Sequence, residues 1–339
     1  MGRLLKSISV VLLGAVLFTV VVVKTGPRTL GRAFSLLFDF QGLVLLLLTL
    51  VSVFFTVWRL KVIFKSFGDN LPAKELLLLW LADFGVSYLT PFTVFGGDVA
   101  KAYFTKKKFE FLSWERTIST AAVERIIDAT VFFVFLIAGL AVFAVKGELS
   151  FCLSAGVLLM AGAMLGLLLF FYFKRWKKES AFQWLFEKAG LKKIKFFNGQ
   201  NGDALLGAEK EMFQFFSCFK KHFWQVLGLS VLRYAMLLVR AGFLLFFLTG
   251  RVGFFKSLAV FGFANLGSLS PVPASLGTLD LSVGLAFGGL GLGFGAGTVF
   301  SMVWRSVDLL ICFAGIWFFI KIGLNVAERK ILGFFRRRP

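Results

Sequence analysis

The chain has 339 residues, 58% of them hydrophobic and only 17% charged, with a mean hydropathy of +0.85. Both fractions depart from those of soluble globular proteins in the direction of lipid, which excludes an ordinary water-soluble domain. The formal charge of +20 takes its meaning from where the basic residues lie.

Residues 9–23, 41–58, 129–145, 151–173, 223–249 and 299–320 are long apolar runs with few charges. Each is near the ~20 residues needed to cross a bilayer core. The first run follows Arg3 and Lys6, but no small-residue cleavage pattern precedes Lys24, so a retained signal-anchor helix is expected rather than a removed leader. Most Lys and Arg fall in 1–8, 59–75, 98–117, 174–222 and 321–339, and few fall in 24–40, 146–149 and 250–256. This is the positive-inside pattern of a multi-pass protein of the cell membrane with both termini cytoplasmic. The basic loops would face anionic lipid head groups, at roughly 1 kcal/mol per residue near the surface. Nucleic acid is not the expected partner.

Charge and helix count conflict at one place, and the conflict is informative. Segments 59–75 and 98–117 both read as cytoplasmic, yet the apolar stretch Leu76–Phe95 lies between them. Leu76–Leu89 has helical character and then meets Thr90-Pro91 and Gly96-Gly97. Proline stops a helix and paired glycines permit a turn, so the chain is expected to enter and return. Asp98 stands where an N-cap would start the next stretch. A second break runs through Asn265, Pro271, Pro273 and Gly277. Irregular backbone at membrane depth survives only when it is buried in protein or lines a wet cavity.

The two breaks are spaced alike. Pro91 precedes Gly97 by six residues, as Pro271 precedes Gly277, and Arg125 and Arg305 each follow their glycine by 28. Each arginine opens an Arg-x-x-Asp, ending at Asp128 and Asp308. The first unit, about 41–146, starts outside, and the second, about 223–324, starts inside, so they form an inverted repeat of the kind transporters use. Between them, 174–222 reads as amphipathic helices on the inner surface. The expected fold is all-α: one integral membrane domain over 1–339, with about seven to eight transmembrane helices and two re-entrant broken segments.

Charges inside such a fold are the candidate site. Burying one at the bilayer centre costs ~2.5–3.5 kcal/mol on insertion scales, yet Glu124, Arg125 and Asp128 share one run and Arg305 and Asp308 another. Each Arg and Asp are i,i+3, so they either neutralise one another or present a guanidinium fork to a lipid phosphate, with Asp orienting it. Arg233 and Arg240 share a helical face, and Arg240 is the deeper candidate. Lys101 either meets a head group or is an ordinary amphipathic-helix lysine. Arg59 reads as the end of its helix at the cytoplasmic interface. Glu124 or Asp128 is the candidate carrier of a coupling proton. Hinge motion is expected at Gly96-Gly97 and Gly277. Three scattered cysteines and a single His222 give no metal or redox spacing, and Gly288–Gly297 lacks the context of a nucleotide loop, so neither metal nor cofactor is expected.

The run Pro91-x4-Gly-Gly-Asp98-Val-Ala-Lys101-Ala-Tyr103, the Glu124-Arg-Ile-Ile-Asp128 block and Asn265 through Pro271-Val-Pro273-Ala-Ser-Leu-Gly-Thr278, followed by Arg305, resemble the lysylphosphatidylglycerol synthase transmembrane family. This flippase-like domain is the membrane part of multiple peptide resistance factor. The resemblance covers nearly the whole chain. It implies an eight-crossing or near-eight fold with re-entrant segments, and movement of lipids between leaflets. The aminoacyl-transferase domain of the full resistance factor is not seen in the sequence, so synthesis of aminoacyl lipid is not expected. Where the family pattern reads Ile-Pro-Gly-Ser-Gly, this chain has alanine in place of a glycine. The expected activity is lipid translocation. The alternative is an accessory protein that presents a lipid to a separate synthase or glycosyltransferase. Membrane phospholipids, such an enzyme and further copies of the chain are the expected partners.

Overall fold

The computed structural model describes residues 38–89, 96–146, 200–250 and 253–335, together with Ser35 and scattered helical positions between 155 and 170. The expected crossing at 9–23, most of that at 151–173, the linker part 174–199 and the Pro91 hinge lie outside the described residues. Among the described residues the chain is helical and contains no strand.

The helices are α1 Phe40–Ser66, α2 Ala73–Leu89, α3 Gly96–Lys108, α4 Trp114–Lys146, α5 Gln200–Cys218, α6 Lys220–Thr249, α7 Phe254–Ser268, α8 Thr278–Gly289 and α9 Phe294–Phe335. Four of these contain spans long and apolar enough to cross a membrane: Phe40–Ser66, Trp114–Val145, Lys220–Thr249 and Phe294–Lys321. The order long, short, short, long therefore occurs twice, as α1–α4 and as α6–α9. At 1.5 Å per residue, the short helices span about 18–26 Å, less than a ~30 Å hydrocarbon core.

Local chemistry sets the helix ends. Helix α1 stops where Gly68 turns to φ +90°, and α6 ends on Gly250 in the left-handed conformation, donating to the Phe246 carbonyl. Helix α3 opens with Asp98 in its first turn and closes on Lys106, Lys107 and Lys108, each charge matching the helix dipole.

The packing is reciprocal. Helix α1 lies along α6: Arg59 reaches Ser230, Ile63 shares a buried cluster with Val226 near the start of α6, and Leu45 shares one with Leu244 and Leu245 near its end. The two therefore run antiparallel. The short helix α2 packs on the distant α9, and α7 packs on the distant α4. Both crossings are glycine contacts. A Cβ on Gly85 would sit 2.8 Å from the Ile316 nitrogen, and one on Gly315 would overlap the Leu81 carbonyl. A Cβ on Gly139 would lie 2.8 Å from the Gly262 Cα. Small residues let the backbones meet, which in lipid replaces hydrophobic drive by close van der Waals contact. On the outside, Phe54, Trp58, Phe313 and Trp317 are exposed, as a lipid-facing surface requires. Helix α5 docks through Met212, Phe215 and Phe216 onto Val123 and Ile127, and Glu211 pairs with Arg116 at 2.9 Å.

Candidate ion-pair cavity

Where α1, α2, α3, α4 and α6 converge, a cavity of about 190 Å³ is lined by Arg59, Asp83, Lys101, Glu124, Arg125, Asp128 and Arg233, with Trp80, Phe84, Ser87 and Tyr88 as its remaining wall. The three rings belong to α2 at spacing four, so they stack along one face, with centroids 5.3 and 5.4 Å apart.

The charges pair across helices. The Arg59 guanidinium donates to Glu124 at 2.6 Å, to Asp128, and to the Ser230 hydroxyl at 2.9 Å. Arg233 donates to both oxygens of Asp128, at 2.7 and 2.6 Å. Lys101 bridges Asp83 at 3.0 Å, Asp98 at 3.2 Å and Glu124 at 2.7 Å, tying α2, α3 and α4 together. Arg125 directs both Nε and Nη2 at Asp98, each at 2.7 Å. Its side chain keeps 30% exposure and that of Arg233 keeps 21%. Of the charges here, these two guanidiniums alone combine cavity exposure with N–H groups that make no hydrogen bond among the described residues.

A second cluster lies at matched positions in the other half. Arg240 pairs with Asp308 at 2.8 Å, donates to the Trp304 carbonyl at 2.7 Å and sits 4.0 Å above the Trp304 ring. Arg305 pairs with Asp280 at 2.6 Å and donates to the carbonyls of Ala274 and Ser275, both at 3.3 Å. Asp280 also accepts the Gly277 N–H at 3.1 Å and the Ser301 hydroxyl. The side chains of Arg240, Arg305 and Asp280 are 1%, 5% and 0% exposed, so both guanidiniums here are dry, while Asp308 keeps 18%. Around it, Ala274 and Ser275 hold φ of +52° and +49°, and Gly277 caps α8 at φ +76°. The position where the family resemblance calls for glycine is thus a left-handed one that alanine occupies under strain.

Several expectations change at the level of pairing. Neither Arg125 nor Arg305 pairs with the aspartate three residues along its own helix: Asp128 turns toward α1 and α6, and Arg125 toward α3. The cavity gathers Lys101, Glu124, Arg125 and Asp128, with Asp98 just behind, but its lining does not include Arg240, Arg305 or Asp308. Arg59 is corrected from an interfacial helix end to a buried hub, 2% exposed, because two α4 carboxylates and an α6 hydroxyl meet it. Arg233, rather than Arg240, faces the cavity. Of the expected hinge residues, Gly96 and Gly97 begin α3, Pro271 and Pro273 lie in the connection before α8, and Asn265 lies within α7 with a buried amide nitrogen that has no partner among the described residues. Asp83, Asp280 and Tyr88 were not singled out by spacing. The signal for the two aspartates was a lone acid inside an apolar stretch.

The chain matches the family described as the lysylphosphatidylglycerol synthase TM region over residues 7–315. It belongs to that family. No curated protein matches it. Family membership and the apolar helices make this a membrane protein with a lipid-related function. For a family member of this kind, a charged cavity walled by aromatics and set among lipid-exposed helices is the feature of most chemical interest. Among the described residues no group of His, Cys, Asp or Glu has the arrangement of a metal site.

Proposed function

We propose that the protein is a lipid translocase that moves phosphate-bearing head groups between leaflets through the α1–α2–α3–α4–α6 cavity, without transforming them. The observation that carries this reading is the pair of partly exposed guanidiniums, Arg125 and Arg233, aimed at one cavity while their carboxylate partners occupy only one side of each. Guanidinium N–H groups match phosphate oxygens in geometry and charge. The acyl tails would remain in lipid beyond the apolar helix faces.

Alternating access follows from an inverted repeat, and three observations favour one. Arg59–Asp128 and Arg240–Asp308 join the first and last long helices of each unit, 69 and 68 residues apart in sequence. Arg125–Asp98 and Arg305–Asp280 join the last long helix to its re-entrant partner in each. Helix α2 crosses to α9 as α7 crosses to α4, each over a glycine pair. On this reading α2–α3 and α7–α8 are hairpins that enter and return, and the full chain makes seven to eight crossings of the cell membrane with cytoplasmic ends.

Leaflet exchange of fluorescent phosphatidylglycerol in liposomes holding the purified full chain tests the proposal. Exchange well above that of protein-free liposomes is expected. Rates equal to empty liposomes, with lipid binding retained, would replace translocation by the accessory role, in which the protein presents lipid to a partner enzyme or acts as an oligomer.

A further inference from the structure

The four carboxylates around the cavity are not equally compensated. Glu124 receives Arg59 at 2.6 Å and Lys101 at 2.7 Å. Asp128 receives both Arg59 and Arg233. Asp98 receives two bonds from Arg125 and one from Lys101. Asp83 has one cationic partner among the described residues, Lys101 at 3.0 Å, and shares that ammonium with Asp98 and Glu124. Its other bond, from the Ser87 hydroxyl, is long at 3.4 Å. Asp83 is also 6% exposed and lines the cavity, so it is buried, weakly compensated and placed beside the route a ligand would take.

The surrounding charges can be named from each packed element. From α3 come Lys101 and Asp98, from α4 Glu124, Arg125 and Asp128, from α1 Arg59, and from α6 Arg233. Helix α9 packs on α2 with the Cys312 thiol on the Gly85 carbonyl and Phe319 beside Leu79 and Ala82, and its Asp308 and Arg305, near Tyr88, are paired with Arg240 and Asp280. With all groups ionised, Arg59, Lys101, Arg125 and Arg233 balance Asp83, Asp98, Glu124 and Asp128, and the site is neutral. A bound phosphate monoanion makes it negative by one charge. An uncompensated charge in a low-dielectric site is expensive and is commonly removed by a change of protonation.

We propose that Asp83 is a proton-coupling residue: it takes up one proton from water in the cavity when an anionic head group binds, and returns it when the head group leaves. The inference rests on the phosphate-binding reading of the cavity. Each step conserves charge, since one anion and one proton enter together and the neutral site is restored when both depart. If the cavity opens alternately to the two sides, a proton gradient then drives net lipid movement. The carrier differs from the Glu124 and Asp128 indicated by sequence, because each of those is clamped by two cations.

Titration calorimetry of dioleoylphosphatidylglycerol into the detergent-purified full chain, repeated in buffers of different ionisation enthalpy, reads the coupling directly. Wild type should take up about one proton per lipid bound, and affinity should fall as pH rises, by at most about tenfold per unit for a single linked proton. Asp83→Asn, which keeps the shape of a protonated aspartate, should bind lipid with no proton uptake and little pH dependence. Binding by wild type without proton uptake would overturn the coupling and leave the phosphate site standing. Undiminished uptake in a cooperatively melting Asp83→Asn would overturn the assignment to Asp83. No binding by wild type would reject the phosphate site and the coupling with it. Liposome exchange, measured separately, reports on translocation.

Discussion

The two ion-pair clusters match at two arginines, Arg59 with Arg240 and Arg125 with Arg305, and the first adds Arg233, so they differ in how much guanidinium meets water. Arg125 and Arg233 keep 30% and 21% of their side-chain surface. Arg305 keeps 5%, and the matched hubs Arg59 and Arg240 keep 2% and 1%. Beside Arg125, helix α3 leaves a cavity. Beside Arg305, Asp280 and the strained carbonyls of Ala274 and Ser275 fill the equivalent space. A guanidinium that spends its hydrogen bonds on backbone and a buried aspartate stabilises a turn. One that keeps N–H groups facing a cavity can take a ligand. On the proposed function, the first cluster binds the head group and the second holds its turn rigid.

That division can be broken by mutation. The largest loss of stability should follow Arg305→Ala, which strands the fully buried Asp280. Removing one member of a buried pair costs about 3–5 kcal/mol, readable as a large fall in the thermal midpoint in detergent. Arg125→Ala should cost clearly less, about 1–2 kcal/mol, because its pair is partly solvated, yet it should reduce lipid binding by about tenfold or more. Equal destabilisation by Arg125→Ala and Arg305→Ala would erase the distinction.

The reciprocal glycine crossings sharpen the comparison from the packing side. Gly85→Ala and Gly139→Ala each push a methyl into the facing backbone, and each should cost about 1–3 kcal/mol, the usual range for overpacking. A cost at one site and none at the other would contradict an equivalent role for α2 on α9 and α7 on α4. The smallest effect concerns the strained turn. Ala274→Gly removes the left-handed penalty at φ +52° and should raise stability by up to about 1 kcal/mol, the alanine strain being partly offset by glycine's greater chain entropy.

Much of this was legible in the sequence, for identifiable reasons. Membrane class followed from apolar runs, and the break before α8 from Pro271, Pro273 and Gly277, since backbone geometry is a property of residue type. The charged residues worth attention were visible because charges inside apolar segments are rare. Their partners were not visible. Arg59 and Asp128 are 69 residues apart, and only the antiparallel packing of α1 on α6, with α4 beside them, brings the pair together. The i,i+3 spacing of Arg125 and Asp128 misled, because proximity on a helix permits a pair while the neighbouring helices decide it. Asp83 carried no spacing signal at all, and its significance lies in sharing one lysine with two better-held carboxylates.

The most direct test compares both clusters in one assay. Leaflet exchange of labelled phosphatidylglycerol would be measured in liposomes carrying wild type, the double variant Arg125→Lys with Arg233→Lys, or the double variant Arg240→Lys with Arg305→Lys. Lysine preserves each charge but removes the planar fork, so the comparison isolates phosphate geometry from charge. Among samples that melt cooperatively, exchange should collapse in the cavity variant and persist in the dry-cluster variant, which should instead show the lower melting temperature. Exchange that persists in the cavity variant and disappears in the dry-cluster variant would contradict the account.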